Sequence, residues 1–259
     1  MSAIELNARI YSSGARAVYL GPAFDLAAHR TGVAVLCCAV SGSMEMARNP
    51  RRLKTAWVAC RTLFVPAGTL HCVRFSAKAI ACVYLDPGSE EAARVSAAMC
   101  DKQGGLATRH GREDAVVALF AAVVRAAIRP PDVHAKLADV LGFATGLPAD
   151  ERVAQVVARM RNAPGDAHSL TALAAEVGLS PSRLQHLFKT CTGVPLRRFR
   201  IWNRMGAAIV TASAGASLTE AAHRAGFSSS AHFSTSFRAM FGLSPSKLVD
   251  AGLKVFVPC

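Results

Sequence analysis

No apolar run in this chain approaches the roughly 18 residues that a membrane-spanning helix needs. The first residues, Met1 to Asn7, also lack the basic-then-apolar layout of an export leader. Both absences lead to the expectation of a cytoplasmic protein with no membrane partner. Cysteine is present at Cys37, Cys38, Cys60, Cys72, Cys82, Cys100, Cys191 and Cys259, but no two form a C-x-x-C pair. That removes the usual spacing of a zinc knuckle or a redox dithiol. In a reducing compartment these residues read most simply as small buried hydrophobes. No H-x-H occurs. Acid is scarce too: 17 Asp and Glu stand against 30 Lys and Arg, a formal charge of +13. Up to Ala149 the balance is 17 basic to 11 acidic residues, and from Asp150 onward 13 to 6. The shorter half is therefore the more basic, which suits a polyanion held by salt-dependent phosphate contacts.

What the chain does contain is a repeat. Leu170-Thr171-Ala172-Leu173-Ala174-Ala175-Glu176-Val177-Gly178-Leu179-Ser180 returns as Leu218-Thr219-Glu220-Ala221-Ala222-His223-Arg224-Ala225-Gly226-Phe227-Ser228 at an offset of 48. Further on, Leu184, Phe188, Lys189 and Gly193 are matched by Phe233, Phe237, Arg238 and Gly242 at an offset of 49, so one residue is added in between. Each unit reads as helix, glycine turn, helix. Gly178 can end the first helix in a left-handed conformation. Ser180 is a good N-cap and Pro181 suits the first helical position. Leu184, Leu187 and Phe188 then form a buried stripe, leaving Ser182, Arg183, Gln185, His186 and Lys189 outward. Those side chains can hydrogen-bond base edges or phosphates in a major groove. In the second copy Ser228 is read as the cap and Phe233 and Phe237 as anchors. Ser230, Ala231, His232, Ser234 and Thr235 face outward, with Arg238 placed for phosphate. This second face has few long polar side chains and is expected to dock more than it specifies. One copy alone reads equally well as an amphipathic helix with a solvated face; the repetition favours double-stranded DNA as partner.

The stretches LAAEVGLSPSRLQHLFKTCTG and AAHRAGFSSSAHFSTSFRAMFGLSPSKL resemble both motifs of the AraC/XylS family of bacterial transcription regulators. The resemblance covers Leu170 to Leu248. It implies a seven-helix DNA-binding domain with two helix-turn-helix subdomains joined by a long helix. That helix would start near Pro195 and run through Arg198, Ile201, Met205 and Ile209, carrying a basic cluster of Arg197, Arg198, Arg200 and Arg204. Recognition helices would enter successive major grooves roughly 10 bp apart. The resemblance further implies a homodimer, a small-molecule effector, contact with RNA polymerase, and activation as the commoner sign of regulation.

Residues 1 to about 88 alternate short apolar runs with turns. Candidate strands are Ala17–Leu20, Val33–Val40, Thr62–Val65, Cys72–Phe75 and Ile80–Leu85, punctuated by Gly21-Pro22, Ser41-Gly42, Pro66-Ala67-Gly68 and Asp86-Pro87-Gly88. Such spacing predicts a β-sandwich or barrel. Leu63 to His71 resembles the second cupin motif, with P-x-G-x-x-H intact, in keeping with the cupin-like sensor domain common in the family. A metallocupin usually adds an H-x-H and a carboxylate; here His29 stands alone. His71, His29 and Glu45 are the available metal set, but no metal or cofactor is assigned. His29 and His71 are instead expected to line an effector pocket, or simply to pack inside the β-domain.

Val116, Phe120, Val123 and Ala127 then recur at helical spacing, Pro130-Pro131 ends that helix, and a second helix spans Val133 to Phe143 before a loop at Thr145-Gly146-Leu147-Pro148. These helices could form a dimer seam, cover the β-domain, or do both. Asp150 to Arg161 is expected to be the first helix of the DNA-binding domain. The expected fold is α+β: a cupin-like β-barrel or sandwich (residues 1–105), a helical dimerisation segment (106–148) and an all-α double helix-turn-helix domain (149–259). No catalytic constellation is present, and the chain is not read as an enzyme. Two alternatives stay open. One is a metal-dependent cupin enzyme carrying a DNA-binding tail. The other is a cysteine-responsive regulator, since Cys37, Cys38, Cys60, Cys72 and Cys82 could meet in space and Arg61 and Arg74 could lower a thiol pKa.

Overall fold

A computed structural model of the chain describes residues 6–13, 16–47, 57–86, 89–103, 105–143, 150–166, 169–192 and 194–256. The expected turn at Pro87-Gly88, the loop at 145–148, Gly193 and Cys259 lie outside them. Strands β1 (Arg9–Ser13), β2 (Arg16–Pro22), β3 (Leu26–His29), β4 (Ala34–Ala39), β5 (Met44–Ala47), β6 (Val58–Cys60), β7 (Thr62–Val65), β8 (His71–Phe75) and β9 (Ala79–Leu85) come first. Helix α1 (Glu90–Ala97), the hairpin β10 (Met99–Gln103) and β11 (Leu106–His110), and helices α2 (Glu113–Val124) and α3 (Val133–Leu141) follow. The last part holds α4 (Glu151–Asn162), α5 (Leu170–Glu176), α6 (Pro181–Thr192), α7 (Leu196–Ser213), α8 (Leu218–Arg224), α9 (Ser230–Phe241), α10 (Pro245–Asp250) and a short β12 (Lys254–Phe256). None of these helices is long and apolar enough to cross a membrane.

The large sheet runs β10-β11-β7-β4-β9-β2-β1-β12 and the small one β3-β8-β5-β6. Strand β4 shows why the large sheet is the middle layer. Val35, Cys37 and Ala39 face one core, with the small sheet and the last helices. Ala34, Leu36 and Cys38 face another, with α1, α2 and α3. Both faces are covered, so the strand reads as a continuous apolar run rather than an alternation. Val116, Leu119, Phe120 and Val123 of α2 are all buried in that second core. These four residues of the stripe cover the sheet, while Ala127 lies exposed beyond the end of α2.

The sheets do not close into a barrel, which narrows the sequence expectation to an open, layered arrangement. At the edge of the small sheet, β3 is met by a helix end. Its Ala27 N–H donates to the Gly242 carbonyl (3.2 Å), and just beyond it the Arg30 N–H donates to the Ala239 carbonyl (3.2 Å). Those carbonyls belong to the C-terminal end of α9, where a helix leaves acceptors unused. A helix end thus satisfies the strand edge that another strand would have taken. At one edge of the large sheet β12 pairs in parallel with β1, placing Val255 beside Ile10.

Candidate DNA interface and interdomain cavity

The two helix-turn-helix units are built alike. Ser169 and Ser217 cap α5 and α8, accepting from the Ala172 and Glu220 amides. Leu179 N–H then closes on the Ala174 carbonyl (2.9 Å), and Phe227 N–H on Ala222 (3.0 Å), at the same offset of 48. Gly178 and Gly226 both hold positive φ there, at 66° and 81°, as the left-handed turn requires. Ser180 Oγ accepts from the Arg183 amide (3.3 Å) at the start of α6. In α9 the cap is Ser229, which accepts from the His232 amide (3.1 Å), and not Ser228 as read from the repeat. The added residue explains the shift: at an offset of 49, Ser180 corresponds to Ser229. Ser228 Oγ instead meets His232 Nδ1 (3.1 Å).

On α6, Leu184 and Phe188 are fully buried, while Ser182, Arg183, Gln185, His186 and Lys189 are all exposed. On α9, Phe233, Phe237 and Met240 are buried, Ala231, His232, Thr235 and Arg238 are exposed, and Ser230 and Ser234 are half-buried. Each proposed set thus shares one outward helix face, with the two serines set back from it. The connecting helix adds cations. Gln185 and Lys189 line a groove with Arg197 and Arg200, and Arg197 continues into a second groove with Arg30, Arg198 and Ser236. Nε and Nη2 of Arg200 and Nε of Arg204 are buried without a hydrogen-bond partner among the described residues. Burial and then the neighbouring cations Arg30 and Arg204 push the Arg198 and Arg200 guanidinium pKa values down. Crowded, unpaired guanidinium groups favour an anion beside them. The sequence showed these arginines as a cluster; the fold divides them, with Arg197 and Arg200 beside α6, Arg198 facing Arg30 and α9, and Arg204 bonded to the Asp166 carbonyl.

The two units are held differently. The first has its own core, in which Val153, Leu173, Leu184, Phe188 and Phe199 pack together with only Val33 from the fully buried β-residues. The second shares the core of the β-layers: Phe227, Phe233, Phe237 and Met240 belong to one cluster with Val35, Met44, Leu63 and Ile80. At this seam lies a cavity of about 170 Å³. The β-side contributes Tyr19, Val35, Leu63, Val65, Ile80 and Tyr84; the helices contribute Trp202, Met205 and Ile209 from α7 and Phe237 and Phe241 from α9. Trp202 and Phe241 stand with ring centroids 5.6 Å apart, and Phe237 and Phe241 4.4 Å apart.

His29 and His71 both line this cavity and are nearly fully buried, with ring centroids 4.1 Å apart. Burial lowers both pKa values, that of His71 to about 3 with His29 adding to the effect, so both rings are neutral. Glu45 does not join them. It lies exposed on β5, in register with Arg74. Among the described residues no three His, Cys, Asp or Glu side chains converge as metal ligands. Of the cysteines, Cys37 and Cys82 do meet, with Sγ atoms 2.9 Å apart on paired strands. The expectation that Arg61 or Arg74 lowers a thiol pKa is overturned. Burial pushes Cys38 and Cys60 up to about 12, and the side chain of Cys82 together with burial pushes Cys37 up as well. Arg61 pulls Cys38 down, and Arg74 pulls Cys72 down, by less than burial raises each.

A helix-turn-helix domain family of the AraC type matches residues 173–251. No curated protein sequence matches the chain at a significant level. Among solved structures, ToxT from Vibrio cholerae O395 is 12% identical, with 91% of this chain and 96% of that one aligned at a TM-score of 0.58. Unsaturated fatty acid bound wild-type ToxT from Vibrio cholerae strain SCE256 is 13% identical, covering 90% of this chain and 93% of that one at a TM-score of 0.54. At these identities the likeness is one of fold, and it extends over both the sheets and the helices.

Proposed function

We propose that this AraC-type helix-turn-helix DNA-binding regulator is ligand-gated, with α6 and α9 reading promoter DNA while a small effector in the interdomain cavity sets how well they fit. The carrying observation is the placement of α9. Phe237 and Phe241 form part of the cavity wall, while Arg238, between them in sequence, points to solvent. A ligand that presses on the wall therefore presses on the recognition helix. Such a ligand changes DNA binding only by its difference in affinity for the two placements of α9. The likeness to ToxT, of which one structure is described as fatty acid bound, supports an apolar effector here.

In this reading Ser182, Gln185 and His186 contact base edges. Arg183, Lys189, Arg238 and Arg197 of α7 contact phosphate, and Ser230, Ala231, His232, Ser234 and Thr235 dock the second groove. His29 and His71 contact the effector. Two chains acting as a homodimer would double the reach along DNA, and a bound pair beside RNA polymerase would activate. Genomic footprinting of the full chain tests this. Discrete protected sites upstream of genes are expected, each showing paired segments about one helical turn apart. Uniform, sequence-independent protection would sink it.

A further inference from the structure

Several polar side chains that line the cavity have only acceptor capacity left. Four lining side chains carry a single exchangeable proton each, and each donates it to a backbone carbonyl. Tyr19 Oη donates to Pro22 (2.8 Å), Thr31 Oγ1 to Val33 (2.7 Å), His29 Nδ1 to Ala27 (2.8 Å) and His71 Nδ1 to Thr69 (2.9 Å). A carbonyl oxygen can only accept, so in each neutral ring the proton sits on Nδ1 and Nε2 keeps a lone pair. The Tyr19 and Thr31 oxygens likewise have only acceptor capacity left. Ser12 adds one hydroxyl free to turn either way, Cys37, Cys82 and Tyr84 pair among themselves, and the Trp202 indole N–H is a donor in the same lining. No Lys, Arg, Asp or Glu is among the described residues that line the cavity.

We propose that this cavity selects a small, uncharged, largely apolar molecule bearing a hydrogen-bond donor, of the phenol or cyclic-alcohol class, and rejects carboxylates. This rests on the reading of the cavity as the effector site. A carboxylate offers only acceptors and a charge; it would meet lone pairs at Tyr19, Thr31, His29 and His71, and no cation in the lining offsets its lost hydration. A hydroxyl donates to the acceptors already waiting. Size agrees: the cavity is close to the roughly 150 Å³ of apolar space known to hold a benzene ring. That is room for a one-ring ligand. The fatty acid named for ToxT thus agrees with the apolar character proposed for this ligand but not with its polar end.

Calorimetric titration of the full chain near neutral pH with three ligands of matched shape tests this: para-propylphenol, propylbenzene and para-propylbenzoate. The phenol should bind about tenfold tighter than propylbenzene, the difference one hydrogen bond makes. The benzoate should bind on the order of a hundredfold more weakly than the phenol, or not detectably. His71→Phe keeps a ring in place and removes one lone pair. It should shrink the advantage of the phenol over propylbenzene; if that variant does not fold, the wild-type series decides alone. Benzoate binding as tightly as phenol overturns the proposed ligand class. Equal binding of phenol and propylbenzene overturns the donor requirement. If none of the three binds, the cavity is not an effector site and the parent reading fails with it.

Discussion

Gln185 and the pair Ser230 and Ser234 set the test at the scale of single residues. Gln185 is exposed on α6, beside a groove of three cations, and is long enough to make two hydrogen bonds to one base edge. The serines are half-buried on α9 and reach bases only at close range. Gln185→Ala should therefore lose about 1–3 kcal/mol at one base pair and relax the preference there. Ser230→Ala and Ser234→Ala should change affinity by a few tenths of a kcal/mol. Gel-shift titrations against the protected site and its single-base variants measure this, and equal losses on the two helices would contradict the asymmetry. Much of this face was legible in the sequence, because a helical period with buried Leu184 and Phe188 fixes which neighbours point out. The cap at Ser229 was not, since an inserted residue leaves three serines in a row and no periodicity to choose among them. Nor were the N-caps Ser169 and Ser217, although each stands one residue before the repeated Leu-Thr.

At the scale of elements, the join between α9 and β3 is where gating would act. Gly242 ends α9 at φ 73°, and a Cβ there would stand 2.7 Å from the Ala27 carbonyl oxygen and 2.9 Å from His29 Nδ1. Gly178 ends α5 at a similar φ of 66°, but with nothing within 4 Å of such a Cβ. Both alanine variants carry the left-handed backbone penalty of roughly 1–2 kcal/mol; only Gly242→Ala must also push β3 and α9 apart. Hydrogen exchange should therefore speed up at the Ala27 and Arg30 amides in Gly242→Ala and stay unchanged there in Gly178→Ala. Unaltered β3 exchange in both would mean that α9 is not held by this strand edge. The elements themselves were unevenly legible. β2, β4, β7, β8 and β9 announced themselves because their residues are mostly buried, which gives apolar runs. The strands β1, β3, β5, β6, β10 and β11 and helix α1 are short or carry more polar residues, and were not read. β12 has only three residues, and its pairing with β1 spans almost the whole chain, a distance no local pattern encodes.

At the scale of the whole molecule, two joins tie the DNA-binding helices to the sheets, and they differ in kind. The second unit is joined by shared apolar core. The first is joined in part by an ion pair, Arg161 of α4 with Asp86 at the end of β9, whose carboxylate side chain is only 10% exposed. Burial pushes the Asp86 pKa up to about 6, with Arg161 pulling it back and Glu91 adding to the rise. The folded-state value thus lies above the unfolded value of about 3.9. A group shifted in that direction contributes most below its unfolded pKa, and the contribution is lost as pH rises through the folded value. Raising the pH from about 4 to about 7 should therefore remove roughly 2 kcal/mol of stability through Asp86 alone. Other carboxylates, such as Asp150 and Asp101, are shifted downward by Arg152 and Arg109 and act in the opposite sense, so the wild-type profile by itself does not isolate the effect. Asp86→Asn does, because the amide cannot titrate and leaves Arg161 equally unpaired at every pH. Urea denaturation of both proteins across this range should show the stability of the wild type relative to Asp86→Asn falling steadily with pH. A difference that stays flat would mean that Asp86 titrates near its ordinary value and that solvent reaches the join between α4 and β9.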